Sequence, residues 1–330
     1  MNPQHAAFEP IVGRYLQLPL GGRAHRVYVE EAGSGTPLLC LHTAGADTRQ
    51  YRAVMNDPEI LGRFRVIAFD LPWHGKSSPP EGWHEETYRL TSQDYAQAVL
   101  GVADALALER PLVMGCSIGG RMVLHLALEH AQRFGGAIGL QSGAHVDPYY
   151  DLEWLNRPDV HGGEVCAGIV SGLVGPGSPD RHRWETLWHY MQSGPGVFKG
   201  DLHFYTADGD IRERVADIDT RRCPLWLLTG EYDYSCTPQD TEFLAGRIAG
   251  AKWQIMEGMG RLPTERGSGP LPGLSAPGAG GGGGRPPGGE YEQALALPSG
   301  GYAAGSACAV SARSRSSTGR ASCAASRTQT

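Results

Sequence analysis

The order of hydrophobic and polar positions predicts buried strands that alternate with amphipathic helices. Segments 37–42, 64–71 and 134–141 are almost wholly apolar, as expected for strands buried on both faces of a sheet. Segment 91–108 starts at a Thr/Ser pair and repeats apolar residues at helical spacing, which predicts a helix with one buried face. Strands separated by helices of this length predict an α/β fold with a mostly parallel sheet and helices on both faces.

The first strands and the last elements follow from the same pattern. Segments 15–18 and 24–30 alternate between apolar and polar residues, which predicts two antiparallel edge strands. The other predicted elements are a helix over 51–61, strands over 224–229 and 252–256, and a helix over 238–248 between those strands. The sheet is therefore expected to extend through most of the chain up to about residue 260.

Segment 145–210 interrupts this alternation and is rich in Trp, Tyr, Gly and Pro. An aromatic-rich insertion between two strands of a sheet is typical of a lid over a binding site, and we expect a lid or cap here. The alternative is a helical excursion on the surface whose aromatic side chains only pack on the core. The core domain then consists of residues 1–144 and 211–260.

The composition changes completely after Gly260. Segment 261–330 holds no Lys, Asp, His, Ile, Phe, Trp or Met, and it contains a run of five glycines, Gly280 to Gly284. Such a segment buries too little apolar area to offset the entropy lost on ordering the chain. We therefore expect a disordered, low-complexity tail.

Composition and charge narrow the class of protein. The 330-residue chain has a net charge of −6 and no basic stripe, so nucleic acid is not an expected partner. Its seven cysteines are scattered, odd in number and without a C-x-x-C pair, which indicates reduced thiols. No stretch is long enough to cross a bilayer, and the first residues do not resemble a signal peptide. We expect a cytoplasmic protein with no membrane partner.

The most specific motif lies between a short apolar strand and a helix. Residues 115–119 have the sequence Gly-Cys-Ser-Ile-Gly, which matches the G-x-S-x-G pattern of a nucleophile elbow. The sharp turn exposes the Ser117 hydroxyl at the N-terminus of the helix, where free N–H groups favour developing negative charge. Two alternatives are a glycine-rich connection in which Ser117 only caps the helix, and a Cys116 thiol nucleophile.

Four motifs together resemble the α/β-hydrolase superfamily over about residues 12–260. They are Leu-His-Thr-Ala-Gly at 41–45, Asp-Leu-Pro-Trp-His-Gly-Lys-Ser at 70–77, the elbow at 115–119, and Gly-Glu-Tyr-Asp at 230–233. The resemblance implies the α/β-hydrolase fold. It also implies a serine that attacks a carbonyl carbon, a histidine that takes its proton, and an acid that orients the histidine.

Carried over to this chain, the resemblance makes Ser117 the nucleophile and Asp233 the acid. The backbone N–H groups of Ala44 and Ile118 would form the oxyanion hole. The alternative for Asp233 is a helix N-cap or a loop carboxylate. His42 is expected to brace the loop beneath the elbow rather than to act as base.

The chain departs from the family at the histidine. All twelve histidines lie at or before His203, and the family's histidine position after the last strand is Arg261. Arginine stays protonated and cannot act as a general base. The closing helix of the fold is also expected to be missing. We consider a reading-frame shift near Arg261, a divergent protein that has lost catalysis, and recruitment of His145 or His74.

The resemblance implies serine-dependent hydrolysis of an ester, a thioester or a related carbonyl compound, with cleavage of a C–C bond as an alternative. Dehalogenase and epoxide-hydrolase chemistry is disfavoured, because those relatives place Asp where Ser117 stands. No metal or organic cofactor is implied, and the aromatic insertion favours a small-molecule substrate with an apolar or aromatic part. The rival class is a non-catalytic ligand-binding or scaffold protein on the same fold. The sequence predicts no oligomeric state.

Overall fold

Eight strands form one sheet in the order β1-β2-β4-β3-β5-β6-β7-β8. A computed structural model describes residues 6–147, 152–157 and 159–260 of the chain. The strands are β1 Val12–Leu20, β2 Arg23–Gly33, β3 Thr36–Leu41, β4 Phe64–Phe69, β5 Leu112–Cys116, β6 Gly136–Leu140, β7 Leu225–Gly230 and β8 Lys252–Met256. The α-helices within these residues are α1 Pro58–Leu61, α2 Ser92–Ala105, α3 Ile118–Glu129, α4 Gly162–Ser171, α5 Asp180–Tyr190, α6 Val197–His203 and α7 Pro238–Arg247.

Most neighbouring strands are parallel. The pairs from β4–β3 through β7–β8 are parallel, whereas β2 is antiparallel to both β1 and β4. The predicted mostly parallel sheet is therefore confirmed. The prediction that both early strands lie at an edge was wrong for β2, which is hydrogen-bonded on both sides.

The predicted continuous helix over 51–61 was also wrong. The chain instead forms two short 3-10 turns, Thr48–Tyr51 and Val54–Asn56, and then the single-turn helix α1. Pro58 disfavours helical geometry at the preceding residue, and Asp57 is extended, with φ −87° and ψ 114°. The Asp57 carboxylate then accepts the N–H groups of Glu59 and Ile60, so a new helix starts at Pro58.

The two faces of the sheet carry two apolar clusters. Because successive residues of a strand point to opposite faces, Leu39 and Leu227 belong to one cluster and their neighbours Leu38 and Leu228 to the other. Helices α2, α3 and α7 supply apolar residues to the first cluster, whereas the 48–61 segment packs in the second. The five cysteines within the described residues are buried and lie outside any disulfide, as expected for reduced thiols.

The insertion between β6 and β7 is mainly helical and contains α4, α5 and α6. Its aromatic residues divide into two groups. Tyr190, Phe198 and Tyr205 are buried, whereas Trp184 and Trp188 on α5 are exposed. The function of this insertion as a lid stays a prediction.

Several predictions lie outside the described residues. They are the tail over 261–330, the missing closing helix, Arg261 itself, and the two insertion tyrosines Tyr149 and Tyr150. Among the helices that are described, none combines the length and the apolar character needed to span a bilayer.

Candidate active site

The serine of the motif lies on a sharp turn between β5 and α3. Ser117 has φ 57° and ψ −113°, a backbone conformation that glycine adopts readily and other residues rarely do. It comes directly after the last residue of β5 and directly before Ile118, the first residue of α3. A non-glycine residue held in a sparsely populated conformation is typical of functional sites, and the strand, turn and helix around Ser117 are compatible with the predicted nucleophile elbow.

The glycines on either side of Ser117 are required by close backbone approach. A Cβ atom on Gly115 would lie 2.3 Å from the carbonyl carbon and oxygen of Gly119. A Cβ atom on Gly119 would lie 2.4 Å from the carbonyl oxygen of Leu41, at the end of β3. The G-x-S-x-G pattern is therefore needed for the first turn of α3 to pack against both β5 and β3.

Cys116 does not share the position of Ser117. Its side chain is fully buried and belongs to the second apolar cluster, with Cys40 and Met114. Ser117 instead donates its backbone N–H to the carbonyl oxygen of Leu140, at 2.9 Å. Ser117 is buried as well, so the packing of Cys116 in the apolar cluster is what argues against the thiol as nucleophile.

Ala44 lies on the loop that follows β3, next to the elbow. β3 and β5 are adjacent and parallel, with Leu41 opposite Gly115, so the loops after both strands share the carboxyl edge of the sheet. Ala44 is buried, and its N–H donates no hydrogen bond to any residue that the structure describes. The N–H of Ile118 belongs to the first turn of α3, where helical geometry supplies no acceptor. Both donors suit an oxyanion hole.

Asp233 follows β7 at the same edge of the sheet and is buried. One of its carboxylate oxygens accepts the N–H groups of Ser235 at 2.8 Å and of Cys236 at 3.1 Å. The N-cap of α7 is Thr237, so Asp233 does not cap this helix. The two backbone bonds hold the carboxylate in a fixed orientation within its loop.

Gln141 is a residue of this edge that sequence reasoning missed. It follows β6 with φ 54° and is fully buried. Its side-chain oxygen accepts the N–H of Gly230 at 2.9 Å, and its side-chain nitrogen donates to the carbonyl oxygen of Gly260 at 2.7 Å. The Gln141 side chain thus holds Gly260, the last described residue before Arg261, close to Gly230 at the end of β7. Gly230 comes three residues before Asp233.

His42 joins the loops that follow β3 and β4. Its Nε2 accepts the N–H of Leu71 at 3.1 Å, and its Nδ1 then donates to the carbonyl oxygen of Thr43 at 2.9 Å. Burial, followed by the nearby His74, lowers the pKa of His42 to about 4. A neutral imidazole with both nitrogens engaged in this way fits the expected bracing role.

The two histidines considered as a substitute base both contact carboxylates in the structure. His74 is fully buried, and its nitrogens contact the Pro72 carbonyl oxygen and the Asp201 carboxylate. His145 donates from Nε2 to Asp147 at 2.8 Å, and its Nδ1 lies 3.4 Å from an oxygen of Asp210. Recruitment of either histidine as base stays a prediction.

Arg121, one turn after Ser117 on α3, is a second residue that sequence reasoning missed. Its guanidinium is fully buried and donates to the carbonyl oxygens of Gly143, Tyr205 and Gly209. No carboxylate accepts from it among the described residues, and burial lowers its pKa to about 10. Arg121 therefore joins the elbow helix to the start and the end of the insertion.

Within residues 6–147, 152–157 and 159–260, no group of three or more His, Cys, Asp or Glu side chains is arranged to hold a metal ion. The carboxyl edge instead collects Ser117, Ala44, Asp233 and Gln141 on the loops after four strands.

Comparison with known proteins agrees with this geometry. A family model described as the alpha/beta hydrolase fold matches residues 36–160. A thermophilic esterase from Thermogutta terrifontis has the same fold, with a TM-score of 0.66 and 20% sequence identity over 77% of this chain and 93% of the esterase. Residues 36–160 thus match the α/β-hydrolase family, and the sheet and helices that the structure describes have the α/β-hydrolase fold.

Two relatives found by sequence comparison are named for different enzymatic activities. A protein of Mycobacterium phage D29 named as a non-heme haloperoxidase is 33% identical over 163 residues, which are 49% of this chain and 56% of that protein. A proline iminopeptidase from Lactobacillus crispatus (strain ST1) is 23% identical over 274 residues, covering 69% of this chain and 84% of the relative. This chain therefore spans little more than half of the phage protein and most of the peptidase.

Proposed function

We propose that this chain is a serine hydrolase of the α/β-hydrolase fold and that Ser117 is its nucleophile. The observation that carries the proposal is the backbone of Ser117, held at φ 57° between the end of β5 and the N-terminus of α3. The loop with Ala44 lies at the same edge of the sheet, and Asp233 follows β7 there. The relatives include hydrolases of this fold, which supports the same class of reaction here.

In the proposed reaction the Ser117 hydroxyl attacks a carbonyl carbon, and the proton leaves to a base. The negative charge on the carbonyl oxygen is stabilised by the N–H groups of Ala44 and Ile118, each contributing about 3 kcal/mol in the transition state. Asp233 would orient a histidine base. The family's position for that histidine holds Arg261, so we expect slow turnover with a residual acceleration of about 10³–10⁴-fold over water.

The proposed substrate is an ester, a thioester or a related carbonyl compound with an apolar or aromatic part. Cleavage of a C–C bond next to a carbonyl group is the alternative reaction, since the same nucleophile and oxyanion hole serve it. The aromatic insertion after β6 supports an apolar substrate part. The relatives carry different activities at low identity and therefore name no single substrate.

A frame shift near Arg261 is our explanation for the missing histidine, and reading the nucleotide sequence at that codon in three frames tests it. The second candidate function is a ligand-binding or scaffold protein without catalysis. The observation that favours it is the absence of any histidine after His203 in the sequence.

One ester assay with short p-nitrophenyl esters separates these functions. It compares the unaltered chain, Ser117→Ala, Arg261→His, and a chain in which everything after Gly260 is replaced by a His-containing turn and an amphipathic helix. Arg266→His is the matched control, because it adds a histidine outside the family's position.

We expect slow hydrolysis by the unaltered chain, none by Ser117→Ala, little gain for Arg261→His and restored turnover for the rebuilt chain. A histidine misplaced by about 1 Å can lose a hundredfold in rate, which is why Arg261→His alone is expected to do little. An unaltered chain as fast as the rebuilt one would mean that an earlier histidine acts as base. Equal rates for the unaltered chain and Ser117→Ala would contradict the proposed nucleophile.

A further inference from the structure

A buried carboxylate on the insertion makes contact with three segments of the core domain. Asp201 lies on α6 and is fully buried. One of its oxygens accepts the N–H of Gly45 at 2.7 Å and contacts Nε2 of His74 at 2.8 Å. The other accepts the hydroxyl of Tyr88 at 2.9 Å. The three donors come from the loop after β3, the loop after β4 and the segment before α2.

The surroundings of His74, a partner of Asp201, favour its charged form. Nδ1 of His74 faces the carbonyl oxygen of Pro72 at 3.0 Å and Nε2 faces Asp201, so both ring nitrogens point at acceptors. Burial opposes the charged form of His74, but the charge of Asp201 and its hydrogen bond outweigh burial and raise the pKa of His74. Removing one partner of such a buried pair leaves an uncompensated charge and is strongly destabilising.

The groups that face His74 from the other elements are compatible with this pair. The neutral His42 ring lies against it, with ring centroids 4.8 Å apart. The Tyr88 ring lies edge-on, with ring centroids 5.8 Å apart. The nearby carboxylate of Asp70 also favours the charged form of His74.

The turn that Asp201 contacts is the one that carries Ala44. Gly45 has φ 65°, and a Cβ atom on it would lie 2.6 Å from Cδ2 of Phe198 on α6. The turn therefore packs directly on the insertion, without room for a side chain. The hydrogen bond from the Gly45 N–H to Asp201 holds the Ala44–Gly45 peptide group, and thereby restrains the neighbouring peptide group that carries the Ala44 N–H.

We propose that Asp201 is a positioning residue for the oxyanion hole: it holds the Ala44–Gly45 turn through the Gly45 N–H and is itself held by His74 and Tyr88. The insertion thus supplies a side chain that holds the oxyanion turn, in addition to packing against it. This inference rests on the proposed function, in which the Ala44 N–H binds the developing oxyanion. A displacement of that donor by about 1 Å is enough to slow the reaction by up to a hundredfold.

The first arm of the test follows the Gly45 N–H without any catalysis. Hydrogen–deuterium exchange, read by mass spectrometry on peptides covering 42–47, compares the unaltered chain with Asp201→Ala and Asp201→Asn. We expect exchange in this turn to speed up at least tenfold in Asp201→Ala. The Asn variant keeps an acceptor for Gly45 and should change less. Asp208→Asn is the control, because Asp208 accepts the N–H of Ser92 outside the oxyanion turn.

The second arm measures how fast a fluorophosphonate probe labels Ser117, since the phosphoryl oxygen occupies the oxyanion hole. We expect Asp201→Ala to be at least tenfold slower than the unaltered chain, Asp201→Asn to be intermediate, and Asp208→Asn to be unchanged. If Asp201→Ala does not fold, Asp201→Asn carries the comparison. A purely structural role would lower stability in Asp201→Asn without changing the labelling rate of the folded fraction.

Two results would overturn the positioning role. One is unchanged hydrogen exchange in the 42–47 peptides of Asp201→Ala. The other is faster exchange in Asp201→Ala while the probe labels its Ser117 as fast as in the unaltered chain. Failure of the proposed function looks different, because the unaltered chain and Ser117→Ala would then label equally. In that case the exchange arm alone decides whether Asp201 holds the turn.

Discussion

The side-chain amide of Gln141 donates a hydrogen bond to the carbonyl oxygen of Gly260, at 2.7 Å. The same side chain accepts the N–H of Gly230, so one residue after β6 fixes both the end of β7 and the chain after β8. A buried polar side chain with two backbone partners leaves both partners unsatisfied when it is removed. The position from which the chain continues to Arg261 therefore depends on Gln141.

Gln141→Ala is expected to lower the free energy of unfolding by about 2 kcal/mol, because a buried N–H and a buried carbonyl lose their partner. Gln141→Gly loses the same bonds but tolerates φ 54°, and should be about 1 kcal/mol more stable than the alanine variant. Urea unfolding of the three chains measures both differences. An alanine variant as stable as the unaltered chain would refute the importance of this bridge.

The strained backbone of Ser117 predicts that glycine at this position favours stability although activity is lost. The free energy of unfolding of Ser117→Gly should exceed that of Ser117→Ala by about 1 kcal/mol, because glycine adopts φ 57° and ψ −113° without steric cost. Urea unfolding measures this difference. Neither variant should hydrolyse p-nitrophenyl esters, and both should keep the circular dichroism of the unaltered chain. Equal stability of the two variants would mean that the elbow stores no strain.

The lowered pKa of His42 predicts a loss of stability on acidification. Its folded-state pKa of about 4 lies below the ordinary value near 6.5, so the unfolded chain binds the proton more readily. The stability that neutral His42 contributes is fully present above about pH 6.5 and is lost as the pH falls toward 4. The loss amounts to about 2 kcal/mol between about pH 7 and pH 5.

His42→Gln should therefore flatten this part of the profile of unfolding free energy against pH. Asp70 acts in the opposite direction, because burial raises the pKa of its carboxyl to about 6 and its contribution falls as the pH rises. The comparison of the two chains by urea unfolding at several pH values isolates the His42 term. Parallel profiles would contradict the buried neutral imidazole.

Arg121 predicts a large effect on stability from a residue with no acidic partner in the described part of the chain. Arg121→Met fills a similar volume but removes the donors to Gly143, Tyr205 and Gly209, so about 3 kcal/mol of stability should be lost. Arg212→Met is the control, because Arg212 is exposed and its ion-pair partner among the described residues is Asp210. Thermal unfolding of both variants checks this, and equal losses would contradict the special role of Arg121.

The strand, turn and helix around Ser117 and most of the other strands could be predicted from the sequence because their determinants are local. A glycine-flanked serine between a buried strand and a helix has one common structural solution, and strand segments such as 252–256 have a continuous apolar or alternating pattern. The error at 51–61 is local as well: Pro58 and the Asp57 cap divide the predicted helix.

The rest of the site depends on contacts that the sequence pattern does not contain. Asp201 and Gly45 are 156 residues apart, and Gln141 and Gly260 are 119 apart. Single polar residues in a loop or on a short helix have no periodicity, so nothing marks them before the fold brings them together. A Gln directly after an apolar strand, in place of a turn residue, was the only local sign at Gln141. The roles of Ser117 and Asp233 stay predictions.

A fluorophosphonate probe tests directly whether Ser117 is a nucleophile presented to an oxyanion hole. The unaltered chain and Ser117→Ala are exposed to the probe and then compared by intact-mass analysis and peptide mapping. We expect slow addition of one probe per chain, mapped to Ser117 and absent from Ser117→Ala. No labelling, or equal labelling of both chains at another residue, would contradict it.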